Sequence, residues 1–308
     1  MTILCDVKLI LLIMKKNVFV MLVMSVALLF CSCSNGDHEE MEKSIQTTTF
    51  ELIKNQQLFS IGNLVPNLVE VKGDVATIGF HKSARLFSIT LTDDLSYQSV
   101  EYLKKAMRDK TPLEISILNS NSKEIGKISE SPDCHINFVS GNITPLSSRG
   151  ADGWAIDISQ FDDLMAEARR TINWDYIGDG CYARAHAVRR MCERMGIACD
   201  KVFIYGSFSI TSPKFDCDVY WRYHVAAAVY VQYGDQVLQM MIDPALCPYS
   251  YDVTYEEWKN TLGGYVEAEY TAYSGIYYMN KNGGQTMYDD LYLDTDTTLD
   301  MYKNAKGC

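Results

Sequence analysis

The apolar positions of this chain fall into three regimes. Val18 to Phe30 is a continuous apolar run, and Ser34 to Gln46 is polar and acidic. Beyond residue 47 apolar and polar positions alternate with the periods of strands and helices. Leu86 to Leu91 alternates as a half-buried strand does, and so does Leu113 to Leu118. Asn119 to Ser122 carries turn chemistry, so Ile125 to Ile128 reads as the return strand. Ser96 to Asp109 is predicted helical, with Val100, Leu103 and Met107 on one face. Residues 47–139 thus read as a small α+β unit. Residues 140–153 are rich in Gly, Ser and Pro, as a linker is, and form a candidate cleavage region.

Residues 154–308 open a second unit. A helix is predicted from Ile158 to Ile172, with Phe161, Leu164, Met165 and Ala168 as its buried stripe and Ser159 as its N-cap. A second helix starts at Cys181, buries Cys181, Ala185, Val188, Cys192 and Met195, and stops at Gly196. Strands are predicted at Lys201–Tyr205, Tyr220–Tyr233 and Val237–Ile242. The last two are joined by the hairpin turn Gly234-Asp235.

Composition adds a class and a compartment. The chain is 47% hydrophobic and 22% charged, as globular chains are, with a formal net charge of −11. That charge disfavours a nucleic-acid partner, which needs a basic face. Lys15-Lys16, the apolar run and Ser32 before Cys33 have the layout of an export signal over residues 1–33, with Met14 a natural start. Phe30-Cys31-Ser32-Cys33 resembles a bacterial lipobox, which makes Cys33 the expected lipidation site. An ordinary cleaved signal peptide is the competing reading. Residues 34–46 are then a tether, and the protein is expected as an exported lipoprotein at a periplasm-facing outer membrane or the cell surface. Outside the cytoplasm thiols tend to pair. Seven cysteines follow the leader: Cys134, Cys181, Cys192, Cys199, Cys217, Cys247 and Cys308. Full pairing would leave one over, as a chain with one catalytic thiol would. No metal and no cofactor are expected, since no C-x-x-C pair follows the leader and only His186 and His224 lie in the second half.

The candidate chemistry starts at Asp179-Gly180-Cys181. A thiol at a helix N-terminus meets unsatisfied backbone N–H groups and the positive end of the dipole, and both favour the thiolate. Gly180 is expected to clear the approach of a substrate, and the backbone N–H of Cys181 to hold an oxyanion. His186 is rotated by about 140° from Cys181 on the same helix, so it is read as a packing or surface residue. His224 lies on the long strand beside small residues, Ala226 and Ala228. If Tyr233 pairs with Gln236 across the turn, Asp243 faces Ala226 and is a diagonal neighbour of His224. A carboxylate behind an imidazole is the arrangement that orients a general base. The candidate catalytic residues are therefore Cys181, His224 and Asp243.

These blocks resemble a known family. Asp179 to His186, Tyr223-His224-Val225-Ala226 and Ile242-Asp243-Pro244-Ala245-Leu246 are similar to segments of the protein-glutaminase (protein deamidase) family. Phe203-Ile204-Tyr205-Gly206 and Ile276-Tyr277-Tyr278 are similar too, and Glu114 to Ser129 resembles the family's propeptide. The resemblance spans about Leu86 to Tyr302. It implies a papain/transglutaminase-like catalytic domain, a Cys-bearing helix packed on an antiparallel sheet, preceded by the α+β pro-domain. It also implies a Cys-His-Asp triad that hydrolyses glutamine side chains in proteins or peptides to glutamate and ammonia through a Cys181 thioester. The partners so implied are glutamine-bearing substrates and an activating protease. Transglutaminase-type acyl transfer, a cysteine protease and a non-enzymatic surface lipoprotein are the alternatives. Ammonia release with neither a cross-linked product nor a cleaved chain separates deamidation from all three.

Overall fold

The computed structural model describes residues 48–131, 155–283 and 285–308. The expected signal sequence, Cys33, the tether, Cys134 and the 140–153 linker lie outside them. In the first unit β1 (Thr49–Glu51), β2 (Phe59–Leu64), β3 (Pro66–Lys72), β4 (Val75–Phe80) and β5 (Leu86–Thr90) precede α1 (Asp94–Asp109), β6 (Leu113–Ile117) and β7 (Ile125–Glu130). They form two antiparallel sheets, β1-β7-β6-β2 and β3-β4-β5. α1 starts before Ser96 because Asp93 caps it: the carboxylate accepts the Ser96 N–H, and the Ser96 side chain accepts the Asp93 N–H. Reciprocal capping of this kind stabilises a helix start by about 1 kcal/mol. Val100 and Leu103 are buried as expected, whereas the buried position of the last turn is Ala106 and Met107 is half-buried. Ile78, Phe80, Phe87, Leu103, Ile115 and Ile128 lie at the centre of this unit's core.

The second unit runs α2 (Ile158–Thr171), α3 (Cys181–Met195), β8 (Asp200–Thr211), β9 (Asp218–Tyr233), β10 (Gln236–Ile242), α4 (Tyr255–Thr261), β11 (Gly264–Tyr273), β12 (Ile276–Met279), β13 (Thr286–Tyr288) and α5 (Leu293–Tyr302). Its main sheet is antiparallel in the order β10-β9-β8-β11. The hairpin register is the expected one, with Tyr233 opposite Gln236 and Ala227 opposite Ile242. β9 is buried on both faces from Tyr223 to Val229, and α3 packs against it.

Three expectations are corrected here. Asp157, not Ser159, caps α2, because the chain turns into helix two residues earlier. Met195 is 39% exposed, since the last turn of α3 runs past the sheet. Full pairing of the thiols is not found among the described residues: Cys217 is bonded to Cys308, while Cys181, Cys192, Cys199 and Cys247 are free. The one disulfide ties the C-terminus to the β8–β9 connection, where Gly307 also pairs with Tyr176. Each unit buries its own core, and together residues 47–308 form one compact body.

Candidate active site

Cys181 is the first residue of α3 and is buried. Gly180 before it has φ +81°, a left-handed conformation that glycine adopts without strain. A Cβ there would lie 3.2 Å from the Tyr302 ring and 3.4 Å from an Arg184 Nη. Gly180 therefore turns the chain and fits it under Tyr302. Buried Arg184 fixes the turn from the helix side, donating through Nη1 to the carbonyls of Tyr176 (3.0 Å) and Asp179 (2.8 Å). The Asp179 carboxylate accepts the Gly180 N–H at 2.8 Å.

His224 and Asp243 come from β9 and from just beyond the end of β10. His224 Nε2 lies 2.6 Å from Asp243 Oδ2, and the Trp258 indole N–H donates to the same oxygen at 2.9 Å. The Trp221 ring stacks on the imidazole at 4.4 Å between centroids. Burial pushes the Asp243 carboxyl upward, but the neighbouring imidazole and the hydrogen bonds from His224 and Trp258 outweigh it and hold the group below the usual carboxylate range. With Nε2 donating to the carboxylate, Nδ1 carries a lone pair, and it is buried with no hydrogen-bond partner. The Cys181 sulfur receives the backbone N–H of Val225, the residue after His224. The Cys181 sulfur thus meets β9 at the residue after His224, whose imidazole is held by Asp243.

The thiol does not show the depressed pKa expected from the helix terminus. Burial pushes it up to about 12, with Asp179 and Asp243 adding to the rise and Arg184 and the Val225 N–H opposing it. The helix dipole is a small effect beside removal of the sulfur from water.

His186 sits elsewhere. It is fully buried, with Nε2 3.1 Å from the Asp289 carbonyl and Nδ1 2.5 Å from Lys201 Nζ, and it packs on the Tyr277 and Tyr292 rings. Burial and the adjacent Lys201 push its pKa down to about 2. Of the packing and surface roles expected for it, His186 takes the packing one.

Sequence reasoning missed what covers the site. The β4–β5 connection of the first unit crosses it. Ser83 Oγ donates to Asp179 Oδ2 at 2.7 Å, and the Ala84 N–H donates to Oδ1 at 3.2 Å. The Arg222 N–H donates to the Ala84 carbonyl at 3.2 Å, and Arg85 bridges to Trp221. Ala84 is completely buried in the core of the second unit. The Arg222 guanidinium reaches Asn67 and the Phe80 carbonyl because Gly79 has no side chain: a Cβ there would lie 2.6 Å from the guanidinium carbon. Beside this crossing lies a cleft of about 550 Å³ lined from both units, by Asn67, Leu68 and Met107 and by Tyr205, Tyr223 and Tyr278. No sequence period reports such a contact. Trp221 and Trp258, the two indoles that fix His224 and Asp243, were equally silent, since each reaches the site through packing.

Residues 158–262 match a family model described as glutaminase. Among solved structures, pro-protein-glutaminase superposes with a TM-score of 0.61 at 23% identity, covering 82% of this chain and 95% of that one. A mutant form of pro-protein-glutaminase does so with a TM-score of 0.60 at 23% identity and the same coverage. No curated protein sequence matches the chain. The resemblance to the protein-glutaminase family is borne out. The shared fold is a mixed helix-and-sheet one, and 82% coverage takes it across the first unit as well as the second.

Proposed function

We propose that the second unit deamidates glutamine side chains in proteins or peptides, and that the first unit holds it inactive until the chain is cut between them. The observation that carries this reading is the meeting of His224 and Asp243 at 2.6 Å with an unpartnered Nδ1, together with the Cys181 sulfur at the start of α3 bonded to the N–H of Val225, the next residue of β9. The family resemblance supplies the amide as substrate. The helix bearing Cys181 against an antiparallel sheet supports a papain/transglutaminase-like catalytic architecture.

In this mechanism His224 Nδ1 takes the Cys181 proton as the sulfur attacks the glutamine carbonyl carbon. The carbonyl oxygen becomes an oxyanion, held by the backbone N–H of Cys181 at the start of α3. The imidazolium returns its proton to the nitrogen, ammonia leaves, and a thioester remains. Water deprotonated by His224 attacks the thioester, giving glutamate and the free thiol. Asp243, kept ionised, holds the proton on Nε2 and steadies the imidazolium; Trp258 keeps the carboxylate in place.

The pro-form reading rests on the crossing segment. Ala84 is completely buried in the second unit's core, and its backbone is bound on both sides, by Asp179 and by Arg222. A tethered segment acts at high effective concentration, so a few hydrogen bonds suffice to exclude substrate. Cutting within residues 140–153 lets it leave. If Cys33 carries a lipid, that cut also frees the catalytic unit from the membrane; Cys33→Ser should move the uncut protein from the membrane fraction to the soluble one.

The test incubates the soluble chain from residue 34, intact and nicked within 140–153, with a glutamine-rich protein. Ammonia release with a one-unit mass gain and no chain cleavage, faster after nicking and lost in Cys181→Ala, is the expected result. Cross-linked or cleaved product would overturn the deamidase reading, and equal rates before and after nicking the pro-form one.

A further inference from the structure

The crossing segment is bound through its backbone to Asp179 and Arg222, and one of its side chains is held by a charge that no catalytic step uses. Lys82 lies two positions before Ala84. Its Nζ is 3.0 Å from Asp294 Oδ2, at the start of α5. The Lys82 side chain is only 12% exposed, although it leaves the first unit to reach this partner. The ammonium also stands 6.0 Å from the centre of the Tyr277 ring, and Tyr277 is completely buried. The Lys82 backbone takes a left-handed φ of +73°, and its carbonyl accepts the Tyr223 hydroxyl. The second unit thus contributes a carboxylate, an aromatic ring and a backbone donor to this one residue.

The same residues would remain when the first unit leaves. Asp294 would then have lost its cation, and Tyr277 and Tyr223 stand in the second unit. The neighbouring Asp289 cannot take over the role, because its carboxylate is engaged by the N–H and hydroxyl of Thr295. Asp296 is paired with Arg190 at 2.8 Å. Asp294 is the carboxylate of this helix start left to meet an incoming charge.

We infer that Asp294, with Tyr277, forms a specificity subsite for a basic residue two positions before the target glutamine, so that Lys-X-Gln and Arg-X-Gln segments are the favoured substrates. This rests on the deamidase reading and on Ala84 standing where the target glutamine binds. The net charge of −11 draws basic substrate proteins in the same sense at longer range. Because Asp294 is 46% exposed, solvent screens the pair, so a preference of about three- to tenfold is expected from the ion pair and the ring together.

The experiment uses the chain nicked within 140–153 and peptides of residues 78–88 in which Ala84→Gln supplies the target. Lys82 is kept, or changed by Lys82→Ala or Lys82→Glu, and kcat/KM for ammonia release is measured at low and high salt. The expected order is Lys, then Ala, then Glu, with the spread shrinking in salt. Asp294→Asn should bring the Lys-to-Glu ratio towards one, and Asp294→Lys should invert it. Equal turnover of the three peptides, with Cys181-dependent ammonia from each, overturns the subsite and leaves the deamidase reading standing. An Asp294→Asn protein that is activated faster but keeps the wild-type ratio overturns it too, by making Lys82 a latch only. No ammonia from any peptide or protein overturns both readings.

Discussion

Among the described residues two histidines are completely buried, and their surroundings differ in one respect. His186 is saturated: both ring nitrogens are engaged, and a buried lysine shares one of them. His224 is engaged on one nitrogen only, by a carboxylate, and the other is bare. A polar atom buried without a partner costs roughly 1–3 kcal/mol, so such an atom points to a use that offsets it. Burial alone does not mark a catalytic base. The open valence of His224 is what the proposed mechanism uses.

The sharpest way to break this contrast is to remove each ring. His224→Ala should reduce ammonia release by at least about a thousandfold, as losing a general base does in thiol and serine hydrolases. Cys181→Ala should do the same. Appreciable turnover by a folded His224→Ala protein would show that another group takes the proton. Asp243→Asn comes next: a drop of about a hundredfold or more is expected, because an amide can favour the wrong tautomer and does not balance the imidazolium. Full activity in that variant would remove Asp243 from the mechanism.

His186→Ala should act on stability instead. Removing its ring leaves Lys201 with the Ile276 carbonyl as its remaining hydrogen-bond partner and opens space among aromatic rings, at a cost of about 2–4 kcal/mol. The protein that stays folded should keep most of its kcat. A folded but inactive variant would reverse the roles of the two histidines.

The thiol offers a test of the covering segment. In the intact chain Cys181 is buried with its pKa pushed up to about 12, so iodoacetamide should label it slowly near neutral pH. Nicking should speed labelling by an order of magnitude or more, as water and reagent reach the sulfur. Equal labelling rates would mean that the segment does not seal the site.

The smallest effect concerns acid. His81, at the contact of the two units beside Tyr278, is lowered from 6.5 to about 4 by burial and by the charges of Arg222 and Lys110. The unfolded chain binds the proton more readily than the folded one. The contribution is therefore fully present above about pH 6.5 and is lost as pH falls towards 4. His186 works in the same direction to lower pH. The thermal midpoint of the intact chain should fall through this window, and His81→Asn should flatten the fall. An unchanged slope would show that His81 does not carry it.

Much of the site was legible because it follows short-range rules. A glycine-terminated apolar stripe set the span of α3, and a two-residue turn fixed the β9–β10 register that brings Asp243 to His224. The 3.6-residue period separated His186 from Cys181. Elements of the first unit before Leu86 were not resolved by pattern, since β2 and β3 mix buried and half-buried positions without clean alternation.

The sequence by itself therefore determined the helix that starts at the thiol, the hairpin that joins His224 to Asp243, and the family likeness, all of which depend on neighbours along the chain or across one turn. Tertiary structure decided the rest. It placed Ala84 and Lys82 over a site about a hundred residues away, set Trp221 and Trp258 around the imidazole and its carboxylate, and turned Gly180 towards Tyr302. It also overruled the helix terminus on the state of Cys181, because desolvation depends on everything packed around a group and not on the element that carries it.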